Sequence, residues 1–150
     1  MDEISLKVEG RESERFTKGT TALGLLSPDG KGANDLVAAR LNGRLIDLAR
    51  PVEEDGEISG LRRGDPESLE ILRHSTAHIM AEAVLALFPR VKVTIGPAIE
   101  TGFYYDFDYD KAFTPEDLPR IEEKMAEIIK SGRPFIRRDV TSQEAVDFFS

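Results

Sequence analysis

Ile4, Leu6 and Val8 alternate with polar residues, the two-residue period of a half-buried strand. Glu9-Gly10 predicts a turn, and residues 11–16 a second strand ending on Phe16. Gly19 and Thr20 open a short helix that carries Leu25 and Leu26 and stops at Pro28-Asp29-Gly30. Val37, Ala39 and Leu41 alternate again. Asn42-Gly43 follows them as a hairpin signal, because both central residues of a type I′ turn need positive φ. Leu45 and Ile46 lead the return strand, and Ile58 lies in another after the acidic loop 53–57. These lengths fit one helix lying across a small mixed sheet, a β-grasp-like module over residues 1–61.

Leu61-Arg62-Arg63-Gly64 reads as polar linker. Asp65-Pro66-Glu67 then predicts a helix start, with Asp at the N-cap, Pro at the first helical position and an acid in the first turn. That helix extends to about Phe88, where Pro89 ends it. Residues 91–109 read as strands, broken at Gly96-Pro97 and Thr101-Gly102 and dense in aromatics. Thr114-Pro115-Glu116-Asp117 caps a third helix with an apolar stripe of Leu118, Ile121, Met125 and Ile128, closed by Gly132. Phe135, Arg137 and Asp139 alternate as a short strand, and residues 142–149 begin another helix. No stop signal follows, the pattern expected of part of a longer protein. The class is α+β, with a second domain over residues 62–150.

Composition narrows the function. Of 150 residues, 40% are hydrophobic and 32% charged, as in ordinary globular proteins. The net charge is −8, and each of the two predicted domains carries half of it. Neither is a basic module, so binding to nucleic acid through bulk charge is disfavoured, and any such contact must be local and shape-driven. There is no Cys, hence no disulfide, thiolate metal site or Cys nucleophile. The first residues lack a signal-peptide pattern, and no apolar run has the length of a membrane span, so a cytoplasmic protein without membrane contact is expected.

The candidate chemistry centres on HSTAH, residues 74–78. It places the chain's two histidines at i and i+4, on one face of the predicted helix. On a wheel of about 100° per residue, Leu69, Leu72, Met80, Ala83, Val84 and Leu87 form the main apolar stripe. His74 and His78 point away from it, beside Ile71, Ala81 and Leu85. Two histidines on a surface is one reading, and the wall of a cleft is the other. Zinc fits poorly: the pattern is not HExxH, and two nitrogens leave a tetrahedral site half filled. In the run GFYYDFD, Phe103 and Phe107 are expected in the core. Tyr104 and Tyr105 face opposite sides of an extended strand, so one of them can reach the cleft.

RHSTAHIMAEAVLALFP followed by KVTIGPAIETGFYYDFD resembles the start of the editing domain of bacterial threonyl-tRNA synthetases. VAARLNGRLIDLARPVEEDGEI, ahead of it, resembles their TGS domain. The resemblance covers essentially the whole chain. It implies a family that charges tRNA with threonine using ATP and hydrolyses mischarged seryl-tRNA. It also implies His74 and His78 as editing-site residues that hold a water or the terminal ribose, with Tyr105 against the substrate end. The family's further editing residues, a Cys and a His with a Lys and an Asp nearby, lie downstream of residue 150. So does the catalytic domain, with its ATP, Mg and Zn and its homodimer contact. No cofactor is expected within these 150 residues, and alone they are expected to be inactive. A stand-alone TGS-type module that binds RNA or a nucleotide, and a free-standing metal-dependent aminoacyl-tRNA deacylase, stay open as alternatives.

Overall fold

The computed structural model describes residues 2–134 and 136–149, the last by its backbone. The fold is α+β. By its contacts the chain forms two compact units, one of residues 1–78 with 93–108, the other of residues 79–92 with 109–150.

In the first unit, β1 (Glu3–Val8), β2 (Ser13–Thr17), β3 (Leu36–Leu41), β4 (Arg44–Ile46) and β5 (Gly56–Arg62) form a mixed sheet in the order β2-β1-β5-β3-β4. Only the central β1–β5 pair is parallel. The short helix α1 (Ala22–Leu26) is capped by the Thr21 side chain, which accepts from Gly24 N at 3.2 Å. Ile4, Leu6 and Val8 are buried as the alternation predicts, against Leu25, Leu26, Val52 and Ile58. Asn42 and Gly43 have φ of 48° and 79°, as a type I′ turn requires.

Three expectations change. A bulge between Leu36 and Ala38 shifts the register of β3, so Leu36 and not Val37 fills the core. Leu61 and Arg62 are no linker. They pair with Ala38 and Leu36 as the end of β5, and Leu61 is buried. Arg63 N donates to Asp35 O at 3.0 Å, which fixes the next residue too. Asp65 does not cap the following helix with its carboxylate, which instead accepts from Arg62 N at 2.6 Å. Pro66 nonetheless begins α2 (Pro66–Leu87), where a missing N–H costs nothing. The buried Ser68 hydroxyl donates to the carbonyls of Arg63 and Asp65, locking the first turn to the chain before it.

The run 92–108 supplies four two-residue strands: β6 (Lys92–Val93), β7 (Ala98–Ile99), β8 (Gly102–Phe103) and β9 (Phe107–Asp108). β7 and β8 form a hairpin, with Ala98 opposite Phe103. Phe103 and Phe107 are half-buried rather than core, since two-residue strands cover little of either face.

The second unit holds the end of α2 with α3 (Asp117–Lys130) and α4 (Ser142–Phe149). Among its described residues Ala81, Ala83, Val84, Val91 and Ile121 are buried. Phe88 meets Phe113 and Tyr109 edge-on, at centroid distances of 5.3 and 5.9 Å. Both helix starts use a Thr and an acid three residues on. Thr114 N donates to Asp117 Oδ2 at 2.9 Å. Thr141 N donates to Glu144 Oε2 at 2.8 Å, while Glu144 N donates back to Thr141 Oγ1 at 3.3 Å, a reciprocal capping box. Gly132, with φ of 61°, follows α3. Leu118 is 62% exposed and leaves the expected stripe, because it sits in the first turn, before the helix reaches its packing partners. Residues 136–140 are not strand, and Phe135 lies outside the described residues.

Candidate functional site

His74 and His78 are brought together as their spacing predicts. Their Nε2 atoms lie 2.9 Å apart, and the rings meet edge to face with centroids at 4.6 Å. An N···N contact of this kind needs one ring to donate and the other to accept, so the pair shares one proton in this geometry. Both residues are exposed.

The helix face that carries them differs from the wheel. Leu69 and Leu72 are exposed at 46% and 39%, while Ala77 and Ala81 are buried. The middle of α2 has apolar residues on most of its circumference, so composition does not select a face. Small alanines let neighbouring backbone approach on one side, and the leucines are left at the margin.

Tyr105 reaches the pair from the strand run. Its ring lies 6.5 Å from His78, edge to face, and stacks on Phe107 at 4.9 Å. Tyr104, on the opposite side, is 47% exposed. Both tyrosines lie between β8 and β9 and belong to neither strand. Thr94 holds the segment by donating from N and Oγ1 to Asp106 O, at 3.2 and 2.7 Å, and Asp106 N donates to Ile95 O at 2.8 Å. Gly96 makes room: a Cβ there would overlap the Tyr105 ring. Arg73 Nη1 donates to Ile99 O at 3.3 Å, tying the β7–β8 hairpin to α2 beside the histidines.

A cleft of about 310 Å³ opens on the other side of His74. Leu45, Glu67, Glu70, Ile71, His74 and Ser75 line it. Leu45 comes from β4, which sequence reasoning did not connect with the histidines, and Glu70 stands one turn before His74. A separate cleft in the second unit lies between Ile79 and Ile129, and there Arg133 pairs with Glu82. Among the described residues no group of three or more His, Asp or Glu side chains is arranged to hold a metal ion. None of their helices is long and apolar enough to cross a membrane.

What this arrangement offers is a pair of imidazoles, a phenol and a carboxylate around open clefts. Such groups can hold and orient a water or a hydroxyl.

No family model matches the chain. Several curated threonine--tRNA ligases match nearly its whole length. The chain is 46% identical over 150 residues to the threonine--tRNA ligase of Geobacter sp. (strain M21), covering 99% of this chain and 24% of that protein. It is 48% identical over 137 residues to the threonine--tRNA ligase of Wolbachia sp. subsp. Brugia malayi (strain TRS), covering 91% of this chain and 21% of that protein. The enzyme of Geobacillus kaustophilus (strain HTA426) is 44% identical over 142 residues. The family resemblance of the sequence is thereby borne out: these 150 residues correspond to a segment of the threonine--tRNA ligases. The chain spans about a quarter of the length of these relatives. A crystal structure of ATBAG1 in complex with HSP70 aligns at 14% identity and a TM-score of 0.29, too low to bear on the fold.

Proposed function

We propose that this chain is the N-terminal part of a threonine--tRNA ligase. In this reading residues 1–61 are its TGS-type β-grasp module, and residues 62–150 begin the domain that hydrolyses mischarged seryl-tRNA. One observation carries it: the His74–His78 pair with Tyr105 beside it, drawn from two motifs that both lie in the stretch similar to threonine--tRNA ligases. The mixed sheet of the first 62 residues, with its parallel central pair and single short helix, supports the β-grasp assignment.

The chemistry follows from what selection by binding can achieve. Serine keeps the hydroxyl of threonine and lacks one methyl, and a missing group of that size is worth only about 1–3 kcal/mol of discrimination. A second site that cleaves seryl-tRNA removes the remaining errors. Hydrolysis of that ester needs a placed water, a group to take its proton, and donors for the oxyanion that develops. A neutral imidazole both accepts and donates, so one ring orients or deprotonates the water while the other holds the terminal ribose hydroxyl. Tyr105 closes the substrate end. Residues beyond 150 complete the pocket, and the substrate is the 3′ end of tRNA in the cytoplasm. ATP, Mg and Zn belong to the synthetic domain of the whole enzyme, which acts as a homodimer.

Seryl-tRNA hydrolysis by the whole enzyme and by residues 1–150 alone tests the division of labour. The whole enzyme is expected to deacylate and the shorter chain to be inert. Full activity in residues 1–150 would mean that the site is complete within them.

A further inference from the structure

Asn42, at the tip of the β3–β4 hairpin, is tied to the start of β5 through three of its atoms. Its backbone N donates to Glu57 O at 2.9 Å, its Nδ2 donates to Asp55 O at 3.0 Å, and its Oδ1 accepts from Glu57 N at 2.9 Å. The carboxamide lies so close to Gly56 that a Cβ there would overlap it. The residue that follows is Gly43, with φ of 79°. A glycine nitrogen is the backbone nucleophile least hindered from reaching the side-chain carbonyl before it, because no Cβ stands in the way. Asn42 is exposed, so water and base reach it. The turn thus holds a reactive pair, and the loop at its side holds the electrophile.

We propose that Asn42 is a site of spontaneous deamidation, that its two side-chain hydrogen bonds restrain the reaction in the folded module, and that conversion loosens the hairpin. The Gly43 nitrogen loses its proton to solvent base and attacks Asn42 Cγ. The Cγ–Nδ2 bond breaks, and the amide nitrogen leaves as ammonia after taking a proton from water. Water then adds to either carbonyl of the five-membered succinimide, which opens to aspartate or isoaspartate. Nothing is oxidised or reduced, and water is the one co-reactant. In the folded module Cγ reaches Gly43 N only when the carboxamide lets go of Asp55 O and Glu57 N, so the native rate is the unfolded rate scaled by the fraction open. The product cannot donate to Asp55 O, and its charge falls among Glu53, Glu54, Asp55 and Glu57. Isoaspartate also lengthens the backbone within a turn that depends on its register.

The test incubates the whole enzyme at mildly alkaline pH, native or unfolded in guanidinium chloride, and follows the tryptic peptide of residues 41–44 by mass spectrometry. Each of the two bonds is worth about fivefold in the opening equilibrium, so the native protein should convert about 30-fold more slowly than the unfolded one. Asp55→Ala leaves Asn42 and Gly43 in place and removes the carboxylate that anchors the loop by accepting from Ser5 N at 2.8 Å. It should speed native conversion about fivefold, with the thermal midpoint reporting folding. Asn34 precedes Asp35 rather than a glycine and should lag Asn42 in the unfolded chain. Asn42→Asp should speed amide exchange across β3 and β4. Equal native and unfolded rates overturn the proposal, as does a native rate unmoved by Asp55→Ala. Asn34 keeping pace with Asn42 overturns the role of Gly43, and unchanged exchange in Asn42→Asp overturns the loosening.

Discussion

Gly56→Ala puts a methyl group where Asn42 already is. Gly56 sits between the acidic loop and β5 with φ of 150°, a region that L side chains rarely adopt. A Cβ there would overlap the Asn42 carboxamide. That carboxamide bridges the loop: Nδ2 donates to Asp55 O at 3.0 Å, and Oδ1 accepts from Glu57 N at 2.9 Å. The backbone strain costs about 1–3 kcal/mol. Pushing the amide aside forfeits two hydrogen bonds at about 1 kcal/mol each. The expected destabilisation is therefore about 3–5 kcal/mol. Asn42→Ala alone loses the bridge and should cost about 2 kcal/mol. In the double variant the methyl finds the space vacated, so the costs should fall short of their sum by about 1–2 kcal/mol. Urea unfolding followed through the amide NMR signals of β1, β3 and β5 measures the module itself. A Gly56→Ala cost below about 0.5 kcal/mol, or strict additivity in the double variant, would refute the steric argument.

Other consequences follow from the same geometry. Gly96→Ala should displace the Tyr105 ring from His78 and lower seryl-tRNA hydrolysis by about 100-fold, since a misplacement of about 1 Å can cost that much; an unchanged rate would show that Tyr105 does not need its observed position. The backbone N–H groups of Thr114 and Thr141 hold the carboxyls of Asp117 and Glu144 below the usual carboxylate range. Groups with depressed folded-state values stabilise at pH above that range and lose the contribution as pH falls through it. Amide protection in the first turns of α3 and α4 should therefore weaken in acid, and this weakening should vanish in the Asp117→Asn and Glu144→Gln variants.

The legible parts of this molecule were those decided by neighbours in the chain. Asn42-Gly43 announces its turn because positive φ is a property of those two residues, and the capping pairs and Gly132 announce α3 in the same way. The proximity of His74 and His78 follows from helical spacing alone. What stayed hidden depends on distant partners. The bulge that exchanges Val37 for Leu36 is set by pairing with β5, and Leu61 and Arg62 look like linker until that strand is known. The buried face of α2 is undecided by a sequence apolar all round, and its neighbours choose Ala77 and Ala81 over Leu69 and Leu72. Leu45 reaches the cleft of His74 across about thirty residues, which no local pattern signals.

The central claim is that the histidine pair performs hydrolysis rather than packing. Both residues are exposed, so replacing either by Ala should cost little folding energy. Removing one group that positions water or the developing charge commonly costs about 2–4 kcal/mol of transition-state stabilisation, or roughly 30- to 1,000-fold in rate. The direct measurement is seryl-tRNA hydrolysis by the whole enzyme carrying His74→Ala or His78→Ala, with threonylation measured in parallel. The account predicts that both variants lose hydrolysis to that extent and charge tRNA with threonine at nearly the wild-type rate. Normal hydrolysis in both would contradict it and leave HSTAH as two surface histidines on a helix.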